Sequence, residues 1–346
     1  MKFQMLSKKF TLEICLIVIK VLFVITKRIG DALSVTPAIR SVYKHYPNCE
    51  ITVYCKNNLT DLFADNPYVK NIKVFSSSKA KLLSIIQFRK IFDKCFFYSE
   101  NKSFFGLAIK NSKNVFAFDS PYLKKIDNVE IIRRFLPEQR PHIIIENLEL
   151  ISRANINLNG TQMDYYLSEE DVAYQNNFFQ RIRQGNEKIF CLKIMSDPGK
   201  KFRDWSLNRF SELILLILEN YAFSQVLIVG SSSEKLAANK LCSIYPERVH
   251  AFCNQSLSQT AAIVFGSDFY IGVDTGITQI ASCSNKPMIG LYHCLIGKRK
   301  AGPLNNKLDY SIDMPTPEKG CLRKEGTMDI ISAKEVFLKI NKVLAK

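Results

Sequence analysis

The sequence predicts an α/β protein with two Rossmann-like domains that face a central cleft. The chain has 346 residues, which is long for a single hydrophobic core. Apolar runs rich in valine, isoleucine and phenylalanine alternate with helix-like stretches, as in parallel sheets covered by helices. Each half also contains an apolar run that leads through a glycine into a helix-like segment, at Val21–Gly30 and at Phe269–Gly276.

The first half contains five strand-like runs. Leu12 to Thr26 is apolar but too short to span a bilayer, and no cleavage signal follows it, so we interpret it as a leading segment and a first strand. Pro37 to Tyr46 is a helix candidate, because its apolar residues share one face and proline suits a first turn. The predicted strands are Val21–Thr26, Ile51–Cys55, Ile72–Phe75, Cys95–Tyr98 and Val115–Phe118, with further helices at Asn57–Ala64, Ala80–Phe92 and the start of Asn147–Gly160.

The second half repeats the alternation after a polar, helix-like stretch at Ser168–Glu187. Its predicted strands are Ile189–Ile194, Val226–Val229, Val249–Phe252, Phe269–Val273 and Met288–Leu291, and its predicted helices are Leu207–Glu219, Glu234–Ile244, Leu257–Phe265, Thr278–Cys283 and one from about Ser332. We therefore expect a first domain over residues 1–167, an interdomain linker over 168–187, a second domain over 188–331 and a C-terminal helix over 332–346.

The net charge of +16 predicts an anionic partner: nucleic acid, an anionic membrane or a phosphorylated substrate. Nucleic acid is the least favoured, because the lysines are dispersed and no RNA-binding or zinc-finger signature is present. The ten cysteines include no Cys-x-x-Cys pair, and the spacing of His250 and Cys253 is most simply chance. We expect reduced thiols, a cytoplasmic protein and no metal.

The first strand is followed by Gly30 and Asp31. Glycine permits a close approach of ligand to backbone, and a carboxylate at the end of a strand is placed to take a proton from an acceptor hydroxyl. Aspartate is equally suited to cap the N-terminus of the following helix. Taken by itself, the spacing favours the cap over the base, and both interpretations stay open.

Three loops of the second half suit a nucleotide ligand. Lys200, Lys201 and Arg203 would neutralise a diphosphate, or simply form a solvated basic loop. Glu234, after the small residues Gly230–Ser233, would accept hydrogen bonds from a ribose, or cap a helix. Asp274-Thr275-Gly276 joins a strand to a helix, where phosphate groups bind. The same triplet occurs in aspartic proteases, but a second one is absent.

Taken in order along the chain, these segments resemble family 9 glycosyltransferases, the bacterial heptosyltransferases of lipopolysaccharide core synthesis. The resemblance spans nearly the whole chain, but it is poor over Ser76–Glu187. The matching segments are Ile29–Leu33, Thr36–Arg40, Tyr46-Pro47, Asn66-Pro67, Lys201–Trp205, Phe210, Gly230 with Glu234, Ser256-Leu257, Asp268, Asp274–Ala281 and Cys321-Leu322.

The resemblance implies a GT-B fold with the acceptor in the N-terminal domain, the nucleotide-sugar donor in the C-terminal domain, and neither metal nor cofactor. Asp31 would be the general base, and Gly30 and Arg40 would lie on the acceptor side. Two departures are present: Gln279 replaces the usual histidine, and an apolar-Asp pair is missing near Phe97–Ser99. The implied donor-binding residues are Lys201, Arg203 in place of the usual lysine, Glu234, Asp274, Thr275, Gly276 and Gln279.

The expected activity is inverting transfer of a heptose-like sugar from an ADP-sugar to a phosphorylated lipopolysaccharide inner-core acceptor. The expected location is cytoplasmic, peripheral at the inner face of the inner membrane, held there by the basic surface. Two alternatives are a related glycosyltransferase for another surface glycan and a diverged nucleotide-sugar-binding protein without catalysis. Gln279 is the residue that most favours the latter, because glutamine cannot carry a positive charge.

Overall fold

The computed structural model describes residues 18–86, 89–120, 126–136, 139–183, 185, 187–304, 307–318 and 320–344. These residues form two six-stranded parallel sheets, one in each half of the chain. Both sheets have the same strand order, in which the first strand of each half lies at the centre and the chain then extends to either side. This is the doubly wound arrangement expected from the sequence.

The first half supplies strands β1 to β6 and helices α1 to α5, with a 3₁₀ helix at Asn57–Leu62. The sheet order is β3-β2-β1-β4-β5-β6. In chain order the elements are β1 (Lys20–Ile25), α1 (Ile29–Leu33), α2 (Thr36–His45), β2 (Glu50–Cys55), β3 (Asn71–Val74), α3 (Ser77–Ile86), β4 (Phe92–Tyr98), α4 (Lys102–Asn111), β5 (Ser112–Phe118), β6 (Val129–Ile132) and α5 (Ile143–Arg153).

The second half supplies β7 to β12 and α6 to α12, with 3₁₀ helices at Pro198–Arg203, Ser232–Glu234 and Thr327–Ile330, and its sheet order is β12-β11-β10-β7-β8-β9. The elements are α6 (Glu169–Ile182), β7 (Lys188–Lys193), α7 (Leu207–Asn220), β8 (Ser224–Gly230), α8 (Lys235–Cys242), β9 (Val249–Cys253), α9 (Leu257–Gly266), β10 (Phe269–Val273), α10 (Gly276–Ala281), β11 (Met288–Tyr292), α11 (Gly297–Ala301), β12 (Ile312–Asp313) and α12 (Ala333–Leu344).

Both sheets are covered by apolar side chains on their two faces. Strand β10 is buried at all five positions, and β1 is buried at all but its first residue. Such strands lose water from both faces, which explains why they appear in the sequence as continuous apolar runs rather than alternating ones. The α6 and α12 helices pack on the second sheet. The predicted boundary between the first domain and the linker, at residue 167, remains a prediction.

The two halves touch at the floor of the cleft between them. Ile280 of α10 belongs to the hydrophobic cluster of the first half. Gly276 lies so close to α1 that a Cβ atom there would be 2.8 Å from the Cβ of Ile29. His142 donates from Nε2 to the carbonyl of Gly302 over 2.8 Å, a second link between the halves.

Several sequence predictions need correction. The helix predicted over Ala80–Phe92 begins earlier, at Ser77, and does not reach Phe92, which begins β4 and pairs with β5. The α5 helix begins at Ile143 rather than near Asn147, since the Nδ1 atom of His142 accepts from the backbone N–H of Ile144 and caps it. The α4 helix was not predicted, because its Phe-Phe-Gly run lacks a clear helical pattern.

The prediction that the thiols are reduced is wrong at one pair. Cys294 and Cys321 form a disulfide that joins the loop after β11 to the segment before α12. Cys15 lies outside the described residues, as does the leading part of the Leu12–Thr26 segment, whose last residues form β1. Across the described ranges, no helix is long and apolar enough to cross a membrane.

Candidate functional site

A cleft of about 1160 Å³ lies between the two halves. It opens at the carboxyl ends of the strands, beside the positions where the strand order reverses, between β1 and β4 and between β7 and β10. Ligands gather at such positions in doubly wound sheets, because the flanking loops diverge there. Its lining includes Gly30, Asp31, Arg140, His142, Glu146, Lys193, Lys200, Arg203, Glu234, Asp274, Thr275, Gly276 and Gln279.

Asp31 lies on the first-half wall of this cleft. Helix α1 begins at Ile29 with Arg28 in the capping position, so Asp31 is its third residue and not its N-cap. The Asp31 side chain is exposed, and among the residues described no hydrogen bond to its carboxylate is found. Of the two interpretations left open by the sequence, the geometry disfavours the cap and leaves a carboxylate free to accept a proton.

A basic environment surrounds this carboxylate. Burial lowers the pKa of Lys27, Arg134 lowers it further, and Asp31 opposes the shift. Arg28 reaches across the cleft to Asp197, with 2.9 Å between Nη1 and Oδ2, although both side chains are largely exposed. Basic side chains therefore lie near the Asp31 carboxylate on the first-half side of the cleft.

The Asp274-Thr275-Gly276 triplet forms the opposite wall at the junction of β10 and α10. Thr275 is the N-cap of α10, and its Oγ1 accepts from the backbone N–H of Thr278 over 3.4 Å. Asp274 is buried, which raises the pKa of its carboxyl, while the nearby Arg203 guanidinium opposes the rise. Arg203 Nη1 donates to Asp274 Oδ2 over 2.7 Å. The triplet thus holds an arginine in the cleft.

Arg203 and Lys200 are two of the basic side chains with which the second half lines the cleft. Arg203 has a side chain only 11% exposed, and its Nε is buried without a hydrogen-bond partner among the described residues. Lys200 lines the cleft, and burial lowers its pKa, as do Arg203 and Arg28. Lys201, in contrast, lies outside the lining and approaches Glu325 at 3.7 Å between Nζ and Oε1. Of the two lysines that the sequence offers for a diphosphate, Lys200 is the one that lines the cleft.

Glu234 is held rigidly at the end of β8. Its Oε1 accepts from the backbone N–H and the hydroxyl of Ser231, each over 3.0 Å, and its Oε2 accepts from Lys193 Nζ. A Cβ atom at Gly230 would be 2.8 Å from Oε2, so only glycine leaves room for this carboxylate. Lys193 also donates to the carbonyl of Met195 over 2.6 Å. Sequence reasoning missed Lys193, whose signal is a lysine at the end of an apolar strand.

Gln279 joins three elements at the floor of the cleft. Its Nε2 donates to the carbonyl of Ala301 over 2.6 Å, and a Cβ atom at Gly30 would be 3.2 Å from its Cγ. One of the two amide hydrogens of Gln279 is therefore bonded to the last residue of α11. Gln279 supplies no positive charge, so an anionic ligand in the cleft would be neutralised by its lysine and arginine side chains, Lys200 and Arg203 among them.

Arg40 does not line the cleft. Its guanidinium donates to the carbonyls of Asn159 and Gln162, over 3.0 and 2.8 Å, and forms a buried ion pair with Asp164. These bonds attach the segment after α5 to α2. The structure therefore gives Arg40 a role in folding, with three of its five N–H groups bonded to residues 159–164 and none of the side chain in the cleft lining.

A buried carboxylate on the first-half wall was also missed from the sequence. Glu146 is fully buried, and it accepts from Arg140 Nε over 2.8 Å and from Arg134 Nη1 over 3.4 Å. It fixes Arg140 at the cleft. Within the described part of the chain, no group of three or more His, Cys, Asp or Glu residues is placed to hold a metal ion.

The sequence profile of glycosyltransferase family 9 (heptosyltransferase) matches residues 126–331, more than half of the chain. The chain belongs to glycosyltransferase family 9. This establishes the protein as a glycosyltransferase. It also agrees with a cleft that lies between two Rossmann-like sheets.

Known members of the family share this architecture. Lipopolysaccharide heptosyltransferase 3 of Escherichia coli is 21% identical over 345 residues, covering 91% of this chain and 96% of that protein. The structure of E. coli ADP-heptose lipopolysaccharide heptosyltransferase II superimposes with a TM-score of 0.76 at 18% identity, covering 94% of this chain and 99% of the other. A family 9 member from Veillonella parvula gives 0.78 at 14% identity, covering 94% and 97%. The predicted GT-B fold of this glycosyltransferase is confirmed.

Proposed function

We propose that this glycosyltransferase transfers a heptose-like sugar, with inversion, from an ADP-sugar to a phosphorylated lipopolysaccharide inner-core acceptor. The observation that carries the proposal is the position of Asp31, a carboxylate without a hydrogen-bond partner in the described structure, on the cleft wall opposite Lys200, Arg203 and Glu234. A base and an anion site on opposite walls are what a single displacement between two bound substrates needs.

The donor site is assigned to the second half. Glu234 would accept from the ribose hydroxyls, while Thr275 and Gly276 would contact the diphosphate at the start of α10. Arg203 and Lys200 would neutralise the leaving diphosphate, and the buried, unpartnered Nε of Arg203 supports this role. The choice of ADP-heptose is supported by relatives: one E. coli heptosyltransferase structure contains ADP and another contains ADP-2-deoxy-2-fluoro heptose.

The reaction follows from these positions. Asp31 would remove the proton of the acceptor hydroxyl as its oxygen attacks the anomeric carbon, and the bond between that carbon and the diphosphate oxygen would break. Attack opposite the leaving group inverts the anomeric configuration and releases ADP, whose developing charge meets Arg203 and Lys200. Gly30 and Arg140 line the acceptor side, where Arg140 would contact an anionic group of the acceptor.

We also infer that the protein works at the cytoplasmic face of the inner membrane, because the proposed acceptor is a lipid and the net charge of the chain is +16. Nucleic acid is not expected as a partner.

A panel of nucleotide sugars tests the proposal. The purified protein is mixed with ADP-heptose, UDP-glucose or GDP-mannose, with and without a heptose-free core acceptor, and nucleotide release and product mass are measured. We expect acceptor-dependent release of ADP and the addition of one heptosyl unit. Transfer from a different donor would support a glycosyltransferase for another surface glycan, and donor binding without transfer to any acceptor would contradict the catalytic proposal.

A further inference from the structure

Helix α3 presents large apolar side chains to solvent. Leu82 is 56% and Ile85 is 69% exposed, and their spacing of three residues places them on one face. The opposite face packs on α4: Ala80 is fully buried, and Ser84 approaches so closely that a Cβ at Gly106 would be 3.2 Å from it. The exposed leucine and isoleucine are therefore not needed to hold α3 in place.

The segment of chain that contains these two residues is rich in basic side chains. Residues 67–91 contain five lysines and one arginine and no aspartate or glutamate. Lys110 of α4 donates to the carbonyl of Ile85 over 3.5 Å, and the backbone N–H groups of Arg89 and Lys90 donate to the carbonyl of Lys110. We call Leu82 and Ile85, together with Lys81, Arg89, Lys90 and Lys110, the α3 surface.

The α3 surface lies on the helix that begins beside the cleft. The segment Phe75–Ser77, which leads from β3 into α3, lines a cavity of about 410 Å³ together with Asn58, and Asn58 also lines the cleft. A lipid-linked acceptor entering the cleft from a membrane would therefore pass close to the start of this helix.

We propose that the α3 surface docks this protein on anionic phospholipid, with Leu82 and Ile85 entering the headgroup region and the basic side chains contacting lipid phosphates. Two apolar side chains alone bind a bilayer weakly, and basic side chains act only near an anionic surface, so both are required. The absence of acidic residues over 67–91 favours an anionic surface over a protein of mixed charge. The purpose of this docking, to bring the enzyme to a lipid acceptor, rests on the proposed function. The vesicle assay that tests the docking itself does not depend on it.

The test measures sedimentation of the full chain with vesicles of phosphatidylcholine alone or mixed with phosphatidylglycerol. Leu82→Glu combined with Ile85→Glu is compared with Phe223→Glu combined with Leu236→Glu, which makes the same charge change at residues 78% and 72% exposed in the second half. We expect the wild type to bind only the anionic vesicles and to be released by salt. The α3 variant should lose about tenfold or more in affinity, and the control variant less than about twofold.

Equal binding by the α3 and control variants would overturn the proposal, as would salt-insensitive binding to neutral vesicles, which would indicate an apolar anchor elsewhere. If the α3 variant still bound vesicles but no longer bound an acidic protein, the surface would be assigned to a protein partner. Transfer to a delipidated, soluble acceptor is measured on the same samples and should be equal in all three proteins. Failure of transfer in the wild type would remove the proposed reaction without affecting the vesicle result.

Discussion

The buried pair of Lys193 and Glu234 provides a quantitative test of how the donor site is built. The two side chains are 7% and 9% exposed, so neither charge is well solvated without its partner. Lys193→Met leaves the Glu234 carboxylate with only its bonds to Ser231 at Oε1. Removal of one partner of a buried ion pair costs about 3–5 kcal/mol, and the lower end applies because Glu234 borders the cleft and water reaches it.

Urea unfolding of the wild type, Lys193→Met, Glu234→Gln and the double variant measures the coupling. We expect the double variant to be more stable than the sum of the single changes predicts, by about 1–3 kcal/mol, since it leaves no unpaired charge. Calorimetry with ADP and 2′-deoxy-ADP adds a ligand arm. If Lys193 positions Glu234 for the ribose, Lys193→Met should abolish much of the preference for ADP, a loss of about tenfold or more. Strictly additive stabilities, or an unchanged preference for ADP, would refute the positioning role.

Two further predictions concern contacts between the halves. Gly276→Ala places a Cβ atom 2.8 Å from that of Ile29, so we expect a loss of about 1–3 kcal/mol in unfolding free energy and weaker ADP binding. The control is Gly199→Ala, which should change neither quantity because no atom lies within 4 Å of the added Cβ. Equal melting temperatures for the two variants would show that the halves do not meet at Gly276. Burial depresses the pKa of His142 below its usual 6.5, so folding favours the neutral ring: its contribution to stability is complete above about pH 6.5 and is lost as the pH falls from there towards the folded-state pKa. Unfolding free energy should therefore drop more between about pH 7 and about pH 5 in the wild type than in His142→Gln, and parallel drops would contradict this.

The parts of the site that sit at strand ends were predictable from the sequence. Parallel strands bring their carboxyl ends to one edge of a sheet, so Glu234 and Asp274 lie at one edge of the second sheet and Asp31 at the corresponding edge of the first. Because the two domains were expected to face each other, these edges line the same cleft. The structure added which of its two roles Asp31 can fill, whereas the Glu234 carboxylate borders the cleft and also forms a capping box with Ser231. Because α1 begins at Ile29, Asp31 falls inside the helix instead of at its cap.

The remaining residues depend on contacts that no local pattern contains. Arg40 lies in a family-like segment, yet its partners are more than 110 positions away along the chain. The choice between Lys200 and Lys201 depends on a kink, since Lys200 has a non-helical φ of −135° inside the 3₁₀ helix. Lys193 becomes meaningful only when β7 and β8 are known to be neighbours, which places Glu234 within its reach.

The most direct test of the proposed reaction is the rate of acceptor-dependent ADP release by Asp31→Asn, measured together with donor affinity and melting temperature. Asparagine keeps the size and much of the polarity of aspartate but cannot take the proton. We predict a rate loss of about 10²–10⁴-fold with donor affinity and melting temperature close to those of the wild type. Transfer by Asp31→Asn at a rate near that of the wild type would contradict the assignment of Asp31 as the base, and with it the proposed reaction in this cleft.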